Sequence, residues 1–166
     1  MKNRNDDLES VIDRYSDMLY KICFLILKNE QDTRDVLQET FLIYYTKQPK
    51  LENEEHKKAW LIKVSQNKCR DFLRFHKRHA ALPLEDMEEV LVITDGLSGN
   101  DKEILSLVWD LDYKLKSAVI LFYIEGYSIN ETAEILKTSP SAVKKRLQRA
   151  REKLSVKIKG EIAYEK

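Results

Sequence analysis

Two helix starts are written into the sequence between Tyr127 and Arg151. Ser128 and Glu131 stand at the S-x-x-E spacing of a capping box, in which the hydroxyl takes a backbone N–H three residues on and the carboxylate returns to the cap's own N–H. Ser139 followed by Pro140 marks the second start, because proline at the first helical position lacks only an N–H that would be unpaired anyway. Between them Ala133 is small enough for a close approach, and Ile129, Leu136, Val143 and Leu147 supply apolar groups for the pair to bury. The pattern predicts a helix-turn-helix whose second helix is basic. In that motif the second helix enters the major groove with its N-terminal turns at the base edges. Ser139, Ser141, Ala142, Lys144, Lys145 and Gln148 are then expected to face DNA, lysine meeting guanine or phosphate and glutamine meeting adenine. Arg146, Arg149 and Arg151 are expected on phosphates, where they add affinity without sequence information.

The rest of the chain keeps the helical period. Over residues 8–27, Leu8, Val11, Ile12, Tyr15, Met18, Leu19, Ile22, Cys23 and Ile26 recur at steps of three and four, which predicts an amphipathic helix. Asp32 is the expected N-cap of a second helix reaching about Thr46, with Val36, Leu37, Thr40, Phe41 and Tyr44 inward and Pro49 beyond its end. A third helix is expected over residues 59–78, carrying Trp60, Leu61, Val64, Cys69, Phe72, Leu73 and Phe75. The period lapses over residues 80–100, which hold Pro83, Gly96 and Gly99 together with acidic side chains. It resumes where Asn100 and Glu103 stand at capping-box spacing, and Asp112 is expected to recap the chain before a buried helix over 114–125 that Gly126 ends. The expected fold is all-α: two small helical domains, 1–79 and 101–166, joined by a flexible acidic linker over 80–100.

Charge supports the division. The formal net charge of +1 is low for a nucleic-acid binder, yet it averages over two basic stretches. Lys57, Lys58, Lys63, Lys68, Arg70, Arg74, Lys77 and Arg78 form one, and Lys144, Lys145, Arg146, Arg149, Arg151 and Lys153 the other. Glu85, Asp86, Glu88, Glu89, Asp95 and Asp101 supply the balancing acid between them.

Catalytic and metal chemistry find little footing. Ser65 with Lys68 and Ser141 with Lys144 repeat a serine–lysine spacing, but without the accompanying motifs of acyl-transfer enzymes. Cys69, His76 and His79 lack zinc-finger spacing and a fourth ligand, and no glycine loop is present to cradle phosphate. No cofactor, metal or enzymatic activity is expected. Cys23 and Cys69 both fall in helical patterns and are expected as buried thiols in a reducing cytosol. No apolar run ending in a cleavage site follows the start, and the apolar stretches at 22–27 and 118–124 are too short to span a bilayer, so a cytoplasmic protein without membrane insertion is expected.

Three segments together carry a family resemblance. Residues 35–41 read DVLQETF, residues 59–74 read AWLIKVSQNKCRDFLR, and the helix-turn-helix closes on RAREKL at 149–154. In that order they resemble the extracytoplasmic-function (ECF) subfamily of sigma-70 RNA polymerase sigma factors, across nearly the whole chain. The resemblance implies that residues 1–79 are sigma region 2 and residues 101–166 sigma region 4, with no counterpart of regions 1.1 and 3. It implies a role in directing bacterial RNA polymerase core to promoters. It places Asp35, Gln38 and Glu39 on the surface that docks on the beta-prime clamp helices, and their spacing puts them on one helix edge.

The resemblance further implies that the third helix reads the minus-ten element, with the polar loop before it capturing a flipped base. Trp60, Lys63, Asn67, Lys68, Arg70, Arg74, Lys77 and Arg78 are the residues so implicated, amide and aromatic groups suiting unstacked bases and cations the backbone. Helical spacing also allows core packing for Trp60 and favours it for Phe72. The second domain is implied to bind the minus-35 element and the polymerase beta flap. Two departures stand out: Asp112 replaces the proline usual before the long region 4 helix, and Lys137 replaces a glycine common at the helix-turn-helix bend. The second requires another turn conformation or some strain.

Free sigma domains often need sequestering, so an anti-sigma factor is a further candidate partner, for which the apolar run Val90, Leu91, Val92 and Ile93 in the acidic linker offers a contact. Residue patterns alone leave two alternatives open. One is a self-sufficient helix-turn-helix regulator with a dimerising or sensing amino-terminal domain, which requires a two-fold symmetric operator. The other is a helical adapter whose basic faces bind acidic proteins without sequence preference.

Overall fold

A computed structural model describes residues 3–75 and 107–164, with side chains as far as residue 155. The chain is divided into two compact units, Met1–Ile93 and Thr94–Lys166. Every regular element among the described residues is helical. None of these helices is long and apolar enough to cross a membrane.

The first unit is a bundle of three helices: α1 (Arg4–Leu27), α2 (Glu30–Lys47) and α3 (Glu54–Phe75), each packed on the other two. Along α1 the buried positions Val11, Tyr15, Leu19 and Ile22 follow the helical period, and then six consecutive residues from Ile22 to Leu27 are buried. A helix that is apolar all round has to be enclosed, so the end of α1 forms the centre of the bundle. Leu61 and Ile62 of α3, which packs on α1, are at 0% exposure.

The helix starts differ from the sequence expectation at three places: α1 begins at Arg4, four residues before Leu8, and α2 and α3 differ as well. Asn29, not Asp32, caps α2: its side-chain oxygen accepts the Asp32 N–H at 2.9 Å, and Asp32 lies in the first turn. Either residue type can cap; the outcome follows from the chain turning at Lys28, which sits at φ 56° as the C-cap of α1. Likewise α3 begins at Glu54, five residues before the expected Ala59, because the Asn53 side chain accepts the His56 N–H at 2.8 Å. The polar stretch that hid this turn has no apolar period to reveal it.

A polar cluster ties the first turns of α1 and α3 to the last turn of α2. Tyr15 donates its hydroxyl to the Glu54 carboxylate, and Tyr44 donates to Asp7 Oδ2 at 2.8 Å. Lys57 Nζ stands 3.6 Å from Glu54 and 3.9 Å from Asp7, and Arg14 stands 3.7 Å from Glu54. Burial, reinforced by the Glu54 hydrogen bond, pushes the Tyr15 hydroxyl up to about 12. Burial and the Asp7 bond push Tyr44 up as well. The same bond from Tyr15 holds the exposed Glu54 carboxyl below its usual range.

Cys23 and Cys69 are free thiols at 0% exposure, as expected, and burial pushes the Cys69 thiol well up, with a hydrogen bond to Cys23 adding to it.

In the second unit α4 (Tyr113–Val119) opens on Asp112, whose side chain accepts the Leu115 N–H at 3.1 Å, the cap expected of it. The helix expected over 114–125 is not α throughout. Its last part, Ile120–Ile124, is a π-turn in which Glu125 N reaches back to Ile120 O at 2.9 Å, and Gly126 at φ 76° ends it. The wider turn buries Ile120 and Leu121 while leaving Tyr123 at 42% exposure.

α5 (Ile129–Ile135) and α6 (Pro140–Tyr164) follow and pack on each other, α6 also on α4. Both expected caps form: Ser128 and Glu131 exchange reciprocal bonds of 3.1 Å, and Ser139 Oγ accepts the Ala142 N–H at 3.1 Å. The turn between them takes the strained route. Lys137 adopts φ 53° and the Thr138 N–H closes on Ala133 O at 2.9 Å, a Schellman-type end usually given to glycine. Ala133, Leu136, Val143 and Leu147 are buried as expected, whereas Ile129 is only half-buried. The linker over 80–100, the Asn100–Glu103 box and the Val90–Ile93 run lie outside the described residues.

Candidate nucleic-acid interface

On α2, the buried positions Val36, Leu37, Thr40, Phe41 and Tyr44 turn one side to the bundle. Asp35, Gln38 and Glu39 are left exposed on the other, joined one turn on by Leu42 at 61% exposure. Asp35 Oδ1 accepts from Gln31 Nε2 at 3.0 Å, which orients it along the helix. Glu39 Oε2 pairs across to Lys68 Nζ of α3 at 3.3 Å. Leu42 was not singled out from sequence, although its spacing of four from Gln38 and three from Glu39 signals the same edge.

On α3, Leu61, Ile62, Ser65, Gln66 and Cys69 are buried and fix the helix's rotation. Lys63, Asn67, Arg70 and Arg74, spaced by four, three and four residues, share one outer stripe; the first three are half-buried and Arg74 is exposed. Such a stripe offers a carboxamide between cations, which suits a single strand held by its backbone with bases turned inward. Trp60 is half-buried and meets Tyr44 edge-on at 5.9 Å, so its ring is shared between packing and surface. Lys68, one residue beyond Asn67, is turned from that stripe by roughly 100° and faces α2. Lys77 and Arg78 lie outside the described residues. Ser65, half of a serine–lysine spacing, is buried and donates to Ile62 O at 2.9 Å, so its hydroxyl is engaged inside the helix.

On α6, Val143, Leu147 and Ala150 are buried at 0–1% exposure. That rotation leaves Ser139, Ser141, Lys144, Lys145, Gln148 and Arg149 exposed, with Ala142 and Arg146 half-buried. Gln148 Nε2 donates to Glu152 at 3.3 Å, an exposed bond that base contact can replace. Arg151 instead donates to the Tyr123 hydroxyl at 2.9 Å, which ties α6 to the π-turn and sets this arginine apart from Arg146 and Arg149. Beside the helix a groove of about 350 Å³ is lined by Lys114, Lys145, Arg146, Arg149 and Lys153 against only Asp112 and Glu152. Lys114 therefore belongs to the basic surface of α6, a placement that its position far upstream in the sequence does not reveal. Among the described residues no cluster of His, Cys, Asp and Glu is arranged to hold a metal ion.

Two helices, each buried on one side, present basic and amide groups on the other, the chemistry of a nucleic-acid-binding protein. Comparison with known proteins agrees. Residues 11–79 match the family model described as Sigma-70 region 2, and residues 101–154 that described as Sigma-70, region 4. The RNA polymerase sigma factor CnrH of Cupriavidus metallidurans is 30% identical over 139 residues, covering 76% of this chain and 73% of its own length. The ECF RNA polymerase sigma factor SigX of Bacillus subtilis is 27% identical, covering 84% and 77%. Among solved structures, CnrH in complex with the cytosolic domain of CnrY matches with a TM-score of 0.65 at 25% identity, over 95% of this chain and 90% of that one. The Bartonella quintana sigma factor RpoE in complex with the anti-sigma factor NepR shares the fold, with a TM-score of 0.68 at 20% identity over 92% and 97%. The chain belongs to the ECF subfamily of sigma-70 factors. It directs RNA polymerase to promoters in transcription initiation.

Proposed function

We propose a division of labour between the two units. Residues 1–79 act as region 2 and residues 101–166 as region 4, with 80–100 as the connector. Asp35, Gln38 and Glu39 dock on the beta-prime clamp helices of the polymerase core, while the second unit engages the beta flap. The α3 stripe of Lys63, Asn67, Arg70 and Arg74, with Trp60 at its start, holds the melted minus-ten strand; Lys77 and Arg78 extend its charge. On α6, Ser139, Ser141, Ala142, Lys144, Lys145 and Gln148 face minus-35 base edges, and Arg146 and Arg149 hold phosphates. The protein works in the cytoplasm, without cofactor and without catalysis of its own.

The observation that carries this reading is the rotation of α3 and α6. In each, buried residues fix which side turns outward, and that side combines amide and cationic groups. An anti-sigma partner belongs to the proposal, since RpoE is held in a complex with the anti-sigma factor NepR and CnrH in one with the cytosolic domain of CnrY. Transcription in vitro with purified core on a promoter library tests it. Promoter-dependent transcripts are expected only when the protein is added, and their absence, together with failure to co-purify with core, rejects the reading. Within it, Asn67→Ala should alter minus-ten preference, whereas Lys144→Ala should weaken minus-35 duplex binding and relax its base preference. Identical effects from both would contradict separate readout.

A further inference from the structure

Between α2 and α3 runs a groove of about 390 Å³ lined by Asp35, Val36, Gln38, Glu39, Lys68, Asp71 and Phe72. Its polar rim comes from both helices. Asp35 and Glu39 line one side; on the other Asp71 adds a third carboxylate, and Lys68 places a cation 3.3 Å from Glu39. Val36, at 3% exposure, and the half-buried Phe72 line it with apolar surface. Lys68 is thus part of this groove and about a quarter-turn off the stripe formed by Lys63, Asn67, Arg70 and Arg74. The Lys68 and Glu39 side chains are 34% and 59% exposed, and an ion pair that open contributes under about 1 kcal/mol to stability. Holding the bundle together is therefore a poor explanation for the arrangement.

We propose that Lys68 belongs to the polymerase-docking surface and not to the minus-ten surface. The docking site is then a two-helix groove with a mixed charge pattern. Its occupant is the polymerase core segment that meets α2, presenting cations opposite Asp35, Glu39 and Asp71, an acid opposite Lys68, and an apolar group over Val36 and Phe72. Three carboxylates alone accept any basic helix; a cation set among them rejects partners that lack the matching acid. Lys68 is in this sense a specificity-determining contact. The inference rests on the docking role proposed for Asp35, Gln38 and Glu39.

The test uses the full-length chain and intact core polymerase. Lys68→Glu turns the groove uniformly acidic at a half-exposed position, and circular dichroism checks that the variant is folded. Its affinity for core in the absence of DNA should fall by about tenfold, because a like charge now meets the partner's acid. Lys68→Arg, which keeps the charge, should retain most of the affinity. At saturating core, binding of the Lys68→Glu holoenzyme to a single-stranded minus-ten oligonucleotide should stay within about twofold of wild type, while Lys63→Glu should show the reverse pattern. Unchanged or tighter core binding by Lys68→Glu overturns the proposal. So does a loss of oligonucleotide binding at saturating core. Asp35→Ala separates the two levels: if it leaves core affinity unchanged, the α2 docking reading fails and the inference with it. A loss at Asp35→Ala with none at Lys68→Glu removes Lys68 alone.

Discussion

The two units build a reading helix by different means. In the amino-terminal bundle α3 is held by mass: it lies against an α1 segment enclosed on all sides, and a cluster around Glu54, Tyr15, Tyr44, Asp7 and Lys57 ties its start to α1 and to the end of α2. In the carboxy-terminal unit α6 is held by punctuation: a capping box, a serine cap with proline, and a tight turn through Lys137 place it against short partners. Packing spreads a function over many residues, so single surface changes there should leave the frame intact. Caps concentrate it in a few backbone hydrogen bonds. In the proposed division of labour the amino-terminal unit devotes two exposed helix sides to partners, core on α2 and DNA on α3, whereas the other unit positions one helix with economy.

Each unit holds one tryptophan, Trp60 or Trp109, which allows the contrast to be broken unit by unit. The largest effect is expected from Leu19→Ala, at 0% exposure. It should destabilise the first unit by about 2–5 kcal/mol in urea titrations followed by Trp60 fluorescence, leaving the Trp109 transition in place. A joint shift of both would show that the units do not unfold independently.

Alkaline pH should act next, again on the first unit. A hydroxyl whose folded value is raised binds its proton more tightly when folded, so stability is complete below the ordinary tyrosine value of 10.0 and falls as pH rises toward about 12 for Tyr15. Tyr44 is shifted in the same direction and adds to the loss. Urea titrations of the wild type should show declining stability across that window, and a Tyr15→Phe/Tyr44→Phe variant should flatten the decline.

In the second unit Ser139→Ala should cost about 1 kcal/mol by removing the acceptor for the Ala142 N–H. Trp109 fluorescence should report it, and minus-35 affinity should fall with the helix start. The smallest effect goes the other way. Lys137→Gly relieves a left-handed backbone at φ 53° and should gain about 0.5 kcal/mol after the entropy cost of glycine. No gain would mean that the Lys137 side chain compensates for the strain.

Legibility followed the same divide. Where a signal is local, sequence reading held: Ser128 with Glu131, Ser139 with Pro140, and Asp112 each cap the helix expected of them. It slipped where two local solutions compete. Asn29 and Asp32 can both cap α2, and the polar run before Ala59 carries no apolar period to show that α3 starts at Glu54. Nor did periodicity foretell the π-turn at Ile120–Ile124, since one widened turn leaves the spacing of apolar residues almost unaltered.

By itself the sequence determined that the chain is helical, where the helices of the second unit start, and that its exposed faces are basic or acidic, because caps and period depend on residues within one or two turns. Tertiary structure decided what those faces oppose. Asn67 and Lys68 are neighbours in the chain and alike in polarity, yet the burial of Leu61, Ile62, Ser65 and Cys69 rotates one to the outer stripe and the other to Glu39. That choice depends on how α3 packs against α1 and α2, contacts distant in sequence that no local pattern encodes.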